Sequence, residues 1–413
     1  MERGVVLMPP RHLPRARTID RRLTRNIPLL AANEFFAELR FYMPVAVLVF
    51  QSITGSYTAG MSVFAVVSFM LAIFEIPTGV LSDKWGRRNT LIVGSVAELA
   101  AVACYAAAPS LPHSLWMLYL GATFYGFAGA LFSGNNHAMV YETLIALRRT
   151  TETGKALGRI SSLGQAGLAL SGVAAMAMLW MGMSYQMLMI LSLGSLIASI
   201  TLSLFTIEPP QHYIKEDHHP WQHMKTAFQA IVKNPKLRLL SIASMIRHSG
   251  GESAYYFTPS FIDSVWPSWL TPLYRTLQHS LGAAGFWFAG LVMKRFGALK
   301  VLTGVTIIGD AFALAAYALA SVFSPVILMS TQLFYALYTT AERTVQQENF
   351  TDQQRSTMGS IISFGGQIAM GLASLGLGLI ADTMTPAAAL IVVLVFRSVI
   401  VNSIYWKLYK RHR

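Results

Sequence analysis

The chain has 413 residues, of which 54% are hydrophobic and 12% charged, with a mean hydropathy of +0.48. Soluble domains carry about 25% charged residues, so the composition excludes an ordinary water-soluble protein and points to lipid as the surrounding solvent. The single cysteine, Cys104, excludes a disulfide framework and any cysteine-based metal site and reads as a packing residue, while the net charge of +13 would by composition alone suit nucleic acid.

From the N-terminus, a basic arm over 1–26 carries Arg3, Arg11, Arg15, Arg17, Arg21, Arg22 and Arg25. A signal peptide would follow its basic region with a short apolar core and a small-residue cleavage site. Here the first apolar run is long and holds Glu34, Glu38 and Arg40, which predicts a retained first span. Twelve apolar segments follow one another, at 27–50, 59–81, 89–108, 115–137, 157–180, 186–206, 237–260, 268–292, 299–319, 325–346, 357–381 and 387–407. A run of about 20 apolar residues crosses a bilayer as a helix, and a helix satisfies its own backbone there. The predicted class is therefore an all-α membrane protein with twelve transmembrane helices in two six-helix bundles, 27–206 and 237–407. They are separated by a cytoplasmic linker over 207–236 that contains E-P-P-Q-H-Y-I-K-E-D-H-H-P, and a basic tail over 408–413 closes the chain.

The basic residues orient this arrangement. With the arm placed in the cytoplasm, five of the 32 Lys and Arg residues lie within spans: Arg40, Arg247, Arg275, Arg343 and Arg397. All the others fall in segments on the arm's side of the membrane, and the outer loops hold none. The positive-inside rule then puts both termini in the cytoplasm. The basic pI is accounted for by anionic lipid headgroups, and no nucleic acid is needed.

Residues 79–88, G-V-L-S-D-K-W-G-R-R, form a charged turn between spans two and three, and G-L-V-M-K-R-F-G at 290–297 repeats it between spans eight and nine. Gly79, Lys84, Trp85 and Gly86 fall on Gly290, Arg295, Phe296 and Gly297. Further echoes are F-Y-M-P at 41–44 with Y-F-T-P at 256–259, and A-L-G-R-I-S-S-L-G at 156–164 with T-M-G-S-I-I-S-F-G at 357–365. Gly79 lets another helix approach closely, and Gly86 permits a tight reversal. Asp83, set among Lys84, Arg87 and Arg88, can form charge-assisted hydrogen bonds or favour a nearby helix N-terminus. The bland alternative is positive-inside charge alone. The second copy has Lys294 in place of Asp83, and Ala298 and Leu299 in place of Arg87 and Arg88; a structural role is expected for it.

On these residues the chain resembles the major facilitator superfamily, whose signature sits in the same loop. F-E-I-P-T-G before the turn, Y-E-T-L at 141–144 and D-Q-Q-R-S-T-M-G-S at 352–360 resemble a bacterial efflux-type branch, similar to drug:proton antiporters. The resemblance covers essentially everything after the arm. It implies two pseudo-symmetric halves with a substrate site between them, and a cavity lined by spans one, four, seven and ten. It also implies that Gly79, Leu81, Asp83, Lys84, Gly86, Arg87 and Arg88 form a gate that latches the cytoplasmic side when the transporter opens outward.

Ionisable groups within spans are costly and usually face partners, water or substrate. Glu34 and Glu38 share a face of span one, four residues apart. Taken out of water, a carboxylate holds a proton more readily, so either is a candidate proton-coupling site; a fixed ion pair is the alternative. Arg40, two residues beyond Glu38, is expected to point elsewhere and to need its own partner. The expected cavity residues are Asn33 and Arg40 in span one, Asn135 at the end of span four, Arg247, His248, Glu252, Tyr255 and Tyr256 in span seven, and Tyr338, Glu342 and Arg343 in span ten. Each, taken alone, has a structural alternative. Ser249, Gly250 and Gly251 would soften span seven. Glu98 and Asp310 occupy similar places in spans three and nine, which the resemblance makes peripheral. Asp310 can form a buried pair with Arg397, and Glu75 is expected at the cytoplasmic closure.

No phosphate-cradling loop, G-x-S-x-G or H-E-x-x-H appears. The expectation is a monomeric, non-enzymatic secondary transporter of a small organic solute in the plasma membrane (the inner membrane of a Gram-negative cell), without metal or cofactor. It would run on the proton gradient, with efflux by antiport. Two alternatives stay open: proton-coupled uptake or export of an organic anion such as a carboxylate metabolite or siderophore, and a non-transporting membrane sensor or assembly factor on the same fold.

Overall fold

The computed structural model describes residues 21–210 and 228–410, except 113, 230, 232, 350 and 351. Arg3, Arg11, Arg15 and Arg17 of the arm, most of the linker, and Arg411 and Arg413 of the tail lie outside the described residues. Among the described residues the structure is helical throughout, without strands.

The first half consists of α1 (Asn26–Glu38), α2 (Ala46–Thr54), α3 (Tyr57–Trp85), α4 (Arg87–Ala107), α5 (Ser114–Phe132), α6 (Asn135–Ala146), α7 (Thr153–Trp180) and α8 (Tyr185–Leu204). The second half consists of α9 (Pro235–Val265), α10 (Thr271–Phe296), α11 (Ala298–Leu319), α12 (Ser324–Asn349), α13 (Asp352–Thr383) and α14 (Pro386–Lys410). Local chemistry sets the boundaries. Ser56 caps α3 by accepting from the Ala59 amide at 3.0 Å. Asn234 caps α9 by accepting from the amides of Lys236 and Leu237, with Pro235 at the first helical position. Both are favoured start signals, because they satisfy amides that the helix itself leaves free. Gly86 ends α3 at φ +87° and Gly297 ends α10 at φ +82°. Both lie in a region that side chains disfavour, so the two copies of the turn share one backbone geometry.

The packing repeats as the sequence does. In the first half α1 packs on α7 and α8, α4 on α5 and α8, and α3 on α5. In the second half α9 packs on α13 and α14, α11 on α12 and α14, and α10 on α12. These are the same five pairings, one half displaced onto the other. Two long pairs join the halves, α3 with α13 and α7 with α10, and the repeat operation exchanges these two pairs as well.

At the end away from the Gly79–Arg88 turn the halves close on each other. The Tyr57 and Thr58 amides at the start of α3 donate to the Asp382 carboxylate of α13 at 2.7 and 2.9 Å. The Phe64 and Tyr256 rings stack at 4.7 Å, and Tyr57 meets Phe257 edge-on at 5.3 Å. A Cβ on Gly378 would fall 2.7 Å from the Thr58 Cα, so only glycine allows this approach. At the turn end Glu75 of α3 lies near Ser363 of α13. The close approach expected at Gly79 is not made: the residue is exposed, and a Cβ there would meet nothing within 4 Å.

Nine helical segments among the described residues are long and apolar enough to cross a membrane. The three remaining long helices, α9, α10 and α12, have 31, 26 and 26 residues. Even 26 residues span about 39 Å, against a hydrocarbon core of about 30 Å. What lowers their hydropathy is their polar content, including Arg247 and Glu252 in α9, Arg275 in α10, and Glu342 and Arg343 in α12. These helices surround the cavity.

Candidate functional site: two arginine clusters beside a cavity

Span one is not the continuous helix expected over 27–50. α1 ends at Glu38, Leu39–Tyr42 is non-helical, and α2 starts at Ala46 after a short 3-10 turn at Met43–Val45 that contains Pro44. Proline lacks an amide donor and disfavours helix in the residue before it. The freed backbone groups find partners on α8: the Phe41 amide donates to Ser192 Oγ at 2.9 Å, and Ser195 Oγ donates to the Leu39 carbonyl at 2.6 Å. Broken helices persist in a membrane only where neighbours satisfy the backbone in this way.

The break redirects Arg40. Instead of pointing away from Glu38, it turns back to it, with Nη2 2.8 Å from Glu38 Oε2. Its Nη1 donates to Glu98 Oε1 and to the Tyr125 hydroxyl, both at 2.5 Å. Arg40 and Glu98 are buried. Glu98, expected on a peripheral span, is therefore part of the span-one cluster. Glu34 lies one turn earlier, against α7, where a Cβ on Gly164 would come within 2.9 Å of its Cγ.

The second half repeats this arrangement. Arg247 of α9 lies 3.5 Å from Asp310 Oδ1 of α11, and its guanidinium stacks over the Tyr338 ring of α12 at 4.1 Å. Arg40, Glu98 and Tyr125 come from the break after α1, from α4 and from α5; Arg247, Asp310 and Tyr338 come from α9, α11 and α12. The second triad has an extra cation. Arg397 of α14 is 2.5 Å from Asp310 Oδ1, and Ser398 Oγ donates to Oδ2 at 2.6 Å. The expected Asp310–Arg397 pair is thus present. Tyr338 and Tyr405 both donate to Glu342, at 2.6 and 3.1 Å. Arg275 donates to the Tyr255 carbonyl and to Gln278 Oε1 and lies over the Tyr255 ring at 3.7 Å; the Tyr255 hydroxyl sits 3.1 Å from His279 Nε2.

Two cavities meet at His248, Glu252 and Gln367. The smaller, about 130 Å³, is a slot between the halves walled by Tyr42, Phe64, Tyr125 and Tyr256. The larger, about 1200 Å³, runs through the second half past Arg247, Tyr255, Tyr338, Asp310 and Arg397 to the exposed Arg343 and Gly359. It reaches α11 and α14, which the sequence reading left out of the cavity.

The structure brings together Arg247, His248, Glu252, Tyr255, Tyr256, Tyr338, Glu342 and Arg343 around these spaces. It does not bring Asn33, Asn135 or Arg40 there. Asn33 is buried and donates to the Ser199 carbonyl and Oγ at 2.8 and 2.9 Å, pinning α1 to α8. Asn135 is buried in the turn cluster, accepting from Ser82 Oγ at 2.8 Å and donating to the Arg87 carbonyl at 3.0 Å. Arg40 is consumed by its own cluster and lines neither cavity.

Around the turn, Arg87 reaches Glu142 of the Y-E-T-L segment at 3.0 Å and Asp83 at 3.2 Å. Glu208, at the start of the linker, accepts from the Arg87 and Arg88 amides at 2.7 Å each, and Arg88 donates to the carbonyls of Thr206 and Leu204. The helix N-terminus expected as a partner for an acid is thus capped by Glu208, a residue the sequence reading did not single out. Lys84 lies on the last turn of α3 and Leu81 on the turn before it.

A comparison with curated proteins returned no sequence match. Among solved structures, the nucleoside transporter NupG superposes with a TM-score of 0.77 at 14% identity, covering 94% of this chain and 99% of its own. A bacterial homologue of the human lysosomal transporter Spinster, inward-facing and unoccupied, gives 0.70 at 14% identity over 95% and 98%. A D-xylose–proton symporter gives 0.66 at 13% identity over 91% and 96%. At such identities these likenesses concern the fold. The Major Facilitator Superfamily family model matches residues 30–374, and the chain belongs to that superfamily.

Proposed function

We propose that this membrane transporter moves a small organic solute by alternating access, coupled to protons, as an efflux antiporter of the drug:proton type. The observation that carries the reading is the cavity beside the junction of two repeat-related halves, shut at one end by Asp382 and the aromatic contacts and reaching exposed residues toward the other. Rocking of the halves about α3/α13 and α7/α10 would exchange the open end. The proposal includes twelve crossings, with α9, α10 and α12 as the polar ones. It also includes 27–206 and 237–407 as the two moving bodies, a plasma membrane with both termini in the cytoplasm, and a monomer that needs no cofactor and makes no chemical change in its solute.

The proton reading rests on charge. Arg40 is one cation between two carboxylates, Glu38 and Glu98, and Glu34 adds a third nearby. Glu34 and Glu38 remain the proposed coupling residues, and the half-buried Glu38 is the member of the Arg40 cluster open enough to exchange. The Gly79–Arg88 segment is proposed as the cytoplasmic gate, with Asp83 engaging the second half when that end closes.

The test is proton flux in proteoliposomes under an imposed pH gradient, with a panel of organic cations, anions and neutral solutes. One of these should drive or be driven by protons. Glu38→Gln and Glu34→Gln should remove the coupling, and Asp83→Asn should slow turnover without loss of insertion. Coupling that survives in both glutamate variants would remove them as carriers. A second reading, transport of an organic anion, is favoured by Arg247, which lines the cavity.

A further inference from the structure

Besides the extra cation Arg397, the two arginine triads differ in how the arginine itself is held. On Arg40 both terminal nitrogens meet protein acceptors, Glu98 and Tyr125 on Nη1 and Glu38 on Nη2, while Nε is buried without a partner. On Arg247, Asp310 corresponds to Glu98 and Tyr338 to Tyr125, and among the described residues no second carboxylate pairs with Arg247 as Glu38 does with Arg40. Arg247 lines the cavity of about 1200 Å³.

Three further observations bear on that gap. First, Asp310 is already spent: Arg397 at 2.5 Å and Ser398 at 2.6 Å occupy its oxygens, and Arg247 stays at 3.5 Å, outside hydrogen-bonding distance. Second, Arg247 Nη1, the nitrogen on the Asp310 side, is buried with no hydrogen-bond partner, so Asp310 does not satisfy it. A buried donor without an acceptor is costly, and a built site is one place where that cost is tolerated. Third, two guanidiniums share the one carboxylate of Asp310. Of the other acids on the cavity, Glu252 lies five residues on from Arg247 and about 140° round the helix, and Glu342 accepts from two tyrosine hydroxyls.

We infer that Arg247 is the anion-binding residue of the transport cavity, and that the solute is a small organic carboxylate whose carboxylate takes the place on Arg247 that Glu38 takes on Arg40. The planar guanidinium suits this geometry, since it can give two parallel hydrogen bonds to one carboxylate. Tyr338 fixes the plane from below by stacking. The body of the solute extends toward His248 and the slot of about 130 Å³ walled by Phe64 and Tyr256, a volume near that of an engineered cavity known to hold one benzene ring. An aromatic or compact apolar acid therefore fits the two spaces together. This inference rests on the transporter reading only in taking the cavity as the solute's path.

The experiment is equilibrium binding to the purified full-length protein in detergent, by calorimetry, with three probes that share a benzyl body: phenylacetate, phenethylamine and 2-phenylethanol. Phenylacetate should bind at least tenfold tighter than the alcohol. Arg247→Gln should remove that preference while leaving binding of the alcohol unchanged, because Asp310 keeps Arg397 and the fold survives. Arg247→Lys should keep part of it, since the charge remains and the paired geometry is lost. The wild-type series decides even if a variant does not fold. An alcohol bound as tightly as the acid, tighter binding of the amine, no saturable binding of phenylacetate, or an acid preference that persists in Arg247→Gln would each overturn the inference. Binding is read without a gradient, so these outcomes leave transport standing. Acid binding without any counterflow in proteoliposomes would count against transport alone.

Discussion

Replacing Asp310 by Asn tests whether the second-half cluster is held by charge. Asp310 is 8% exposed and accepts from Arg397 at 2.5 Å, Ser398 at 2.6 Å and Asn402 at 3.4 Å. Removing one partner of a buried ion pair costs about 3–5 kcal/mol, because the other charge is stranded. Arg397 is the stranded group, 13% exposed; Arg247, already at 3.5 Å, loses less. Access to the cavity and the amide that replaces the carboxylate both soften the loss, so about 3 kcal/mol is expected, at the low end of that range. For a unit the size of one half, each kcal/mol moves Tm by about 2–4 °C, giving a fall of roughly 6–12 °C. Thermal unfolding of the purified protein in detergent reads this directly. The double variant Asp310→Asn with Arg397→Gln should recover most of the loss, since it removes the stranded charge. An unchanged Tm in the single variant, or a double variant no better than the single, would refute the reasoning and show that cavity water already solvates these arginines.

Two further substitutions isolate backbone effects. Gly86→Ala and Gly297→Ala both force a side chain onto positive φ, at +87° and +82°, costing about 1–2 kcal/mol each. At Gly86 the new Cβ would also lie 2.7 Å from the Glu208 carboxylate, whereas at Gly297 it meets nothing. Gly86→Ala should therefore lower Tm more than Gly297→Ala, and equal effects would exclude the Glu208 cap as a contributor. Ser195→Ala removes the hydroxyl that satisfies the Leu39 carbonyl in the break of span one. About 1–3 kcal/mol is expected from an unsatisfied buried acceptor, read as a lower Tm; a value equal to wild type would mean the break does not depend on the Ser195 hydroxyl.

The sequence makes the two-half plan legible because periodic features carry it: apolar runs, the repeated turn, and basic residues gathered on one side. It also makes the Asp310–Arg397 pair legible, since a buried acid and a buried base must find each other. The break in span one is harder to see. F-Y-M-P-V-A-V-L-V-F stays apolar across it, and hydropathy does not register a change of direction; Pro44 is the only local sign. Misreading that break misdirects Arg40, because a two-residue offset from Glu38 separates side chains on a helix but not across a turn. Asn33 and Asn135 fail as cavity residues for another reason. Their partners, Ser199 and Ser82, come from remote parts of the chain, and a polar residue in a span shows its cost without showing what satisfies it. The match of Glu98 with Asp310 is present in the repeat. What conceals its meaning is the expectation that spans three and nine stay at the periphery.

The contact of Asp382 with the Tyr57 and Thr58 amides bears on how readily the far end parts. Both hydrogen bonds are exposed, so water can replace each one as it breaks. The equilibrium penalty is then far below that of the same bonds in a dry interior. The stacked Phe64 and Tyr256 and the edge-on Tyr57 and Phe257 have no such substitute, since parting them hydrates apolar surface outright. The carboxylate thus sets the register in which the two halves meet, and the rings set how long they stay together. A variant at Asp382 should blur the alignment of the shut state, while one at Phe64 should shorten its lifetime.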